Sequence, residues 1–174
     1  MALYRTVLRD LIVGLLQKTT DARANVFAVR TAPTLPAQMP AIYVTTPSES
    51  GQSSSRGTPD FTKTVRVEVL AKVSGGTPEA TLTALERIAE QIEMSVMCSP
   101  VILNSIQQVS DITIEQAISS ETEDHLGAAK LTFGLEYTQE YPVSGPPLTE
   151  IQAEVLGTQP NSGQPLAFDV TLPQ

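Results

Sequence analysis

Residues 39–73 have the sequence MPAIYVTTPSESGQSSSRGTPDFTKTVRVEVLAKV, and this stretch decides the fold. Its apolar beginning, residues 39–45, predicts a short strand. Its end, residues 61–73, alternates polar with apolar side chains, which predicts a long strand with one buried face. Residues 48–60 between them are polar, rich in Ser and Gly, and predict a loop at the tip of a long hairpin arm. Such an arm favours contact with another protein over chemistry on a substrate.

Two helices are predicted on either side of this hairpin. Residues 4–16 repeat apolar side chains at three- and four-residue spacing, which is typical of a helix with one buried face. Gly14 lies within that pattern, and we expect close packing there, because glycine costs a helix roughly 1 kcal/mol relative to alanine. The second helix has Thr77 as its N-cap and Pro78 in its first turn, and it ends before Pro100.

The remaining patterns predict strands. Residues 26–30 favour a short strand, and residues 106–118 and 129–137 favour the two strands of a closing hairpin. Together with the helices, this order predicts an α+β fold with one mixed, mostly antiparallel sheet of four to five strands. We expect both helices to pack on one face of that sheet.

The C-terminal part differs in composition from the rest. Residues 1–141 are expected to form the α/β domain. Residues 142–174 are rich in proline and contain no basic residue, so they predict an extended, flexible C-terminal tail. Within this tail only residues 166–172 have strand character, and they could add to a sheet edge.

Composition excludes several classes of protein. The chain has 174 residues and a formal net charge of -8, which argues against nucleic acid as the main partner. Lys130 is the only basic residue after Arg87, so the second half is the acidic one. Cys98 is the only cysteine, so no intrachain disulfide forms, and we expect a buried structural thiol. No signal peptide or apolar run of about 18 residues is present, which predicts a soluble protein made in the cytoplasm.

Candidate chemistry is sparse. His125 follows an acidic run, residues 121–124, which is either a metal site or a solvated turn. Residues 74–77, Ser-Gly-Gly-Thr before a helix, are either an anion cradle or a plain turn with an N-cap. Neither a P-loop lysine nor a GxSxG motif is present. The sequence therefore predicts no catalytic residue, no metal, no cofactor and no enzymatic activity.

Three short strings carry a resemblance to a known family: MPAIYV at residues 39–44, TVRVEVL at residues 64–70 and AAKLTFGLEY at residues 128–137. With the order of elements over residues 4–141, they resemble the minor tail protein U family, the tail terminator proteins of long-tailed phages. The resemblance implies a hexameric ring that caps the tail tube, stops its polymerisation and offers a surface for head attachment. It assigns no role to residues 142–174.

The resemblance also implies partners: copies of the chain itself in a homohexameric ring, the major tail tube protein and a head completion or connector protein. Before assembly the chain is either a monomer or already a ring. DNA would only pass through the ring, no membrane is involved, and the protein would reside in the virion tail after assembly in the host cytoplasm. Another head–tail connector component is the alternative, and a ligand-binding protein or enzyme using residues 74–78 or His125 is a remoter one. From the hairpin itself we expect protein contacts at Ser50, Ser54, Arg56, Lys63 and Arg66.

Overall fold

The computed structural model divides the chain into two compact units, Met1–Tyr141 and Pro142–Gln174, which are described separately. In the first unit it describes residues 3–29, 35–53, 56, 59–119 and 125–141. In the second it describes residue 145 and the backbone of residues 150–155 and 166–171.

One five-stranded sheet organises the first unit. Its strands, in chain order, are β1 (Val26–Phe27), β2 (Ala41–Ser53), β3 (Asp60–Ser74), β4 (Gln108–Ser119) and β5 (Leu126–Glu140). Their order across the sheet is β1-β2-β3-β5-β4. Only β1 and β2 run parallel, so the predicted mixed, mostly antiparallel sheet is confirmed.

The described residues form three α-helices, α1 (Tyr4–Thr19), α2 (Pro78–Met97) and the one-turn α3 (Pro100–Leu103), and a 3-10 helix at Pro36–Gln38. Of the described helices, α2 begins at a residue whose side chain caps it. At the start of α2, the Thr77 side chain accepts a hydrogen bond from the Ala80 backbone N–H at 3.2 Å, as predicted. Gly76 precedes this cap at a φ of 72°, a conformation that glycine adopts without strain. Pro100 ends α2, as expected, and also opens α3, which the sequence analysis does not include.

The core lies on one face of the sheet, and both long helices cover that face. Alternate side chains of β3 and β5 point into it and meet apolar side chains of α1 and α2. The largest fully buried members are Leu8, Ile12, Leu16, Ile42, Leu85, Ile92, Leu131, Phe133 and Leu135. The opposite face, called the open face here, carries polar side chains such as Thr64, Glu68 and Lys130. The predicted one-sided packing is confirmed.

The predicted loop at residues 48–60 is wrong over its first half. Residues 48–53 continue β2 and pair with β3 from Ser48 opposite Arg66 to Ser53 opposite Phe61. Polar side chains gave no strand signal there, but the long β3 supplies backbone partners that extend β2 regardless of side-chain type. A shift in register between Thr45 and Ser48 marks a bulge containing Pro47, whose missing N–H would interrupt regular pairing.

Two predictions about helix surfaces are also wrong. A Cβ placed on Gly14 would meet nothing within 4 Å, so this glycine faces open space instead of a close neighbour. Cys98 is exposed. It follows the last residue of α2, and at about 100° per residue it points away from the core line through Leu85 and Ile92.

The second unit contains a pair of antiparallel strands, β6 (Glu150–Val155) and β7 (Leu166–Thr171). The strand predicted at residues 166–172 is therefore present, and its partner is β6. β6 also lies within residues 142–174, where the sequence predicts no strand other than residues 166–172.

Candidate interaction surfaces

The sheet has a distal end, made by residues 48–53 of β2, 60–64 of β3 and 136–140 of β5. Its strands are paired along their whole length, from Asp60 opposite Glu140 to Thr64 opposite Glu136. The predicted two-stranded hairpin arm is therefore part of a three-stranded ribbon. Most side chains of residues 48–53 are exposed. A paired ribbon with exposed side chains is a surface of defined shape, unlike a free loop.

Glu49 organises the polar contacts of the distal end. The Tyr137 hydroxyl donates a hydrogen bond to the Glu49 carboxylate. Lys63 Nζ lies 3.7 Å and Arg5 Nη1 3.9 Å from the same carboxylate. The Glu49 and Lys63 side chains are only 14% and 16% exposed, so these charges are partly shielded from water. Together the contacts join α1, β2, β3 and β5 into one network.

Lys63 extends this network toward the end of β5. Its Nζ donates to the Gln139 side-chain oxygen at 2.8 Å and to the Tyr141 hydroxyl at 2.7 Å. The same nitrogen lies 5.3 Å from the centre of the Tyr141 ring. The lysine is thus engaged within its own chain.

The ionisation of Tyr137 is shifted by this environment. Burial, followed by the hydrogen bond to Glu49 and the charge of that carboxylate, raises the pKa of Tyr137 well above its ordinary value. The phenol therefore remains a hydrogen-bond donor to Glu49 at all physiological pH values.

The five residues predicted as protein contacts do not form one surface. Ser50 pairs with Thr64 and Ser48 with Arg66, which places Ser50 and Arg66 on the open face. Lys63 points to the opposite, helix-covered face. Arg56 is exposed at the tip between β2 and β3, and Ser54 lies outside the described residues.

Arg66 reaches across β5 because a glycine leaves room. Its Nη2 lies 3.9 Å from Oδ2 of Asp111 on β4, although β5 runs between β3 and β4. A Cβ on Gly134 of β5 would overlap the side chains of Asp111 and Ser110. The spacing of these residues in sequence gives no signal of this contact, since it depends on the register of three strands.

At the other candidate sites, the described residues His125 and Ser74 make structural contacts. The His125 backbone carbonyl accepts a hydrogen bond from the Thr81 hydroxyl at 2.9 Å, which ties the start of β5 to α2. Residues 121–124 lie outside the described part of the chain. Within the described part, no three His, Cys, Asp or Glu side chains are grouped as metal ligands. Ser74 lines a cavity of about 480 Å³ with apolar walls and an Asp21–Arg87 ion pair of 3.0 Å.

The comparison with solved structures finds several similar chains. No family model matches the chain, and no curated protein matches it. It is similar to a chain in the solved structure "Virion of native gene transfer agent (GTA) particle", with 9% identity and a TM-score of 0.41. That match covers 74% of this chain and 85% of the other. Among the described residues, no helix combines the length and apolar character needed to cross a membrane.

Proposed function

We propose that this chain is a structural component of a phage-like virion that acts by binding other proteins, without catalysis. The distal end of the sheet carries the proposal. It combines exposed side chains with a ribbon held by the Glu49 network, so a partner meets a surface that is already ordered. Binding to an ordered surface loses less conformational entropy than binding to a loop.

Within that role, the finer proposal is tail completion. A homohexameric ring of this protein caps the tail tube, stops its polymerisation and presents the surface to which the head connector attaches. The order of helix, strands, helix and closing hairpin over Met1–Tyr141 is the order that the resemblance implies. A closed ring of identical subunits needs two different complementary surfaces on each subunit. DNA only passes through the ring.

The distal end supplies one of those surfaces in this proposal. Ser50 and Arg66 contact a neighbouring subunit or the tube from the open face, and Arg56 does so from the tip. Ser54 is proposed as a further contact. Lys63 acts indirectly, because its contacts to Glu49, Gln139 and Tyr141 hold the ribbon in shape.

The test uses purified tube subunits of the same particle. Polymerised alone, they should give tubes of variable length. With the full chain added, electron microscopy should show capped tubes that no longer grow. Tubes that keep growing would refute tail completion, and binding to head connector proteins alone would favour the connector role.

A loop-shortened variant sharpens this test. Replacing residues 54–60 by Asn-Gly leaves the Ser53–Phe61 pair in place and closes β2 onto β3 with a two-residue turn. We expect a folded protein that no longer caps tubes. Glu140→Gln, an exposed change elsewhere on the distal end, is the matched control and should cap normally.

A further inference from the structure

A strip of isoleucine side chains lies exposed along β4. Ile112, Ile114 and Ile118 are 38%, 43% and 40% exposed. Ile112 pairs with Phe133 and Ile114 with Leu131, both fully buried, so the strip belongs to the face that the helices cover. The helix layer therefore stops before it reaches the edge of the sheet.

The flank of α2 beside this strip is acidic. Gln91 bonds to Asp21, and Ser95 bonds to Thr19, so these two residues mark the flank that faces α1. Successive residues of a helix are about 100° apart around its axis. The opposite flank of α2 faces β4, and it carries Leu82, Glu86 and Glu93, with Glu90 next to them. We call the surface formed by these four residues and the three isoleucines the α2–β4 groove.

Both walls of the groove carry an energetic cost in the free chain: the α2 wall has neighbouring negative charges, and the β4 wall has exposed apolar side chains. Among the described residues, Glu86, Glu90 and Glu93 have no partner in an ion pair, and glutamates four apart on a helix repel. The exposed isoleucines of β4 leave apolar surface in contact with water. A ligand with basic and apolar side chains would relieve the repulsion between the glutamates and would cover the isoleucines.

We infer that the α2–β4 groove is a docking site for a basic amphipathic helix of another protein. A helix laid on the isoleucines would complete the helix layer over β4, with its Lys or Arg side chains against the α2 glutamates. Charge argues against a second copy in this place. A two-fold contact would bring the glutamates of both copies together.

Two synthetic peptides of about five helical turns test the groove in the full-length protein. One carries Lys and Leu at helical spacing, and the other has Glu in place of every Lys. Fluorescence anisotropy should show binding of the Lys peptide alone, and binding should weaken with salt. Equal binding of the two peptides would overturn the inference.

Two groove variants and one control locate the binding. Glu86→Gln with Glu90→Gln and Glu93→Gln should lower affinity for the Lys peptide about tenfold. Ile112→Ser with Ile114→Ser should lower it at least as much. The control, Glu115→Gln with Glu136→Gln and Glu140→Gln, removes the same charge from the open face and should stay within about twofold. Equal losses of affinity in the groove and control variants would show that binding depends only on the net charge of the protein, and would overturn the inference.

Hydrogen exchange shows whether the groove is vacant in the free protein. The amides of β4 should exchange faster than those of β3 and β5, because β4 lies at the edge of the sheet, and the Lys peptide should slow exchange over residues 112–118. Protection of these amides without peptide, by a second copy or by the chain itself, would overturn the inference. The result does not depend on the proposed function, since a chain that fails to cap tubes can still bind the peptide.

Discussion

The two ends of β3 show how one strand is held in two ways. From Val65 to Val73 its alternate side chains are buried beneath the helices, and apolar contact stabilises them. From Asp60 to Thr64 the strand keeps the same pairing with β5, but beyond the core its side chains make polar contacts, with Lys63 in the Glu49 network. Backbone pairing is common to both ends. The two ends differ in whether a helix or water covers the strand. We expect the end beneath the helices to resist unfolding, and the end exposed to water to be accessible to other proteins.

The largest expected effect is at the covered end. Phe133→Ala removes a fully buried side chain from the centre of the sheet and should lower the free energy of unfolding by about 3–5 kcal/mol. The loss in free energy of unfolding is measured by denaturant titration, with circular dichroism as the signal. Ile114→Ala, on the same face of the neighbouring strand but exposed, is the control and should cost less than about 1 kcal/mol. Similar losses would mean that the β4 strip is covered in solution.

The next effect separates the distal end from the rest. Glu49→Leu leaves the Tyr137 hydroxyl and the Lys63 ammonium without their carboxylate partner and should favour local opening by about 1–3 kcal/mol. Hydrogen exchange should show faster amides in residues 60–64 and 136–140, with unchanged amides beneath the helices. Glu140→Gln is the matched control. Uniform acceleration along β3 would show that the two ends unfold together.

The pH dependence at Tyr137 gives a third, smaller effect. Its pKa is higher in the folded chain than in the unfolded chain, so the unfolded chain releases this proton first. The contribution to stability is complete below the ordinary tyrosine pKa of about 10 and should be lost as pH rises above it. Tyr137→Phe should remove this part of the alkaline loss, as measured by thermal unfolding between neutral and alkaline pH. An identical profile in the variant would contradict the shift.

The same comparison explains what the sequence can predict. The covered end is predicted well, because Val65 to Val73 alternate with polar residues, and because Thr77 and Pro78 mark the start of the helix above them. The continuation of β2 to Ser53 is missed, because it comes from pairing with β3 and not from the polar residues themselves. Glu49 and Tyr137 are 88 positions apart, and only the folded sheet brings them together.

The candidate surfaces follow the same rule. The exposure of Ser50 and Arg66 can be predicted, because Ser50 lies in the polar residues 48–60 and Arg66 is a polar position of the alternating strand. The face on which each lies depends on a register that the bulge at residues 45–48 shifts. The α2–β4 groove is missed because residues 106–118 predict a strand but not how far the helices cover it. The exposure of Ile112 and Ile114 results from the width of the helix layer.

The smallest effect on stability is expected at Arg66. Arg66→Ala removes an exposed ion pair with Asp111, so the free energy of unfolding should change by less than about 0.5 kcal/mol. If the open face contacts a neighbouring subunit, the same change should nevertheless impair capping of tail tubes in the electron microscope assay. Lys130→Ala, which removes the comparable ion pair with Glu68 nearer the helix-covered end, controls for loss of positive charge. Equal capping by both variants would place the contact surface elsewhere, since the distal end would then be no more sensitive than the covered end.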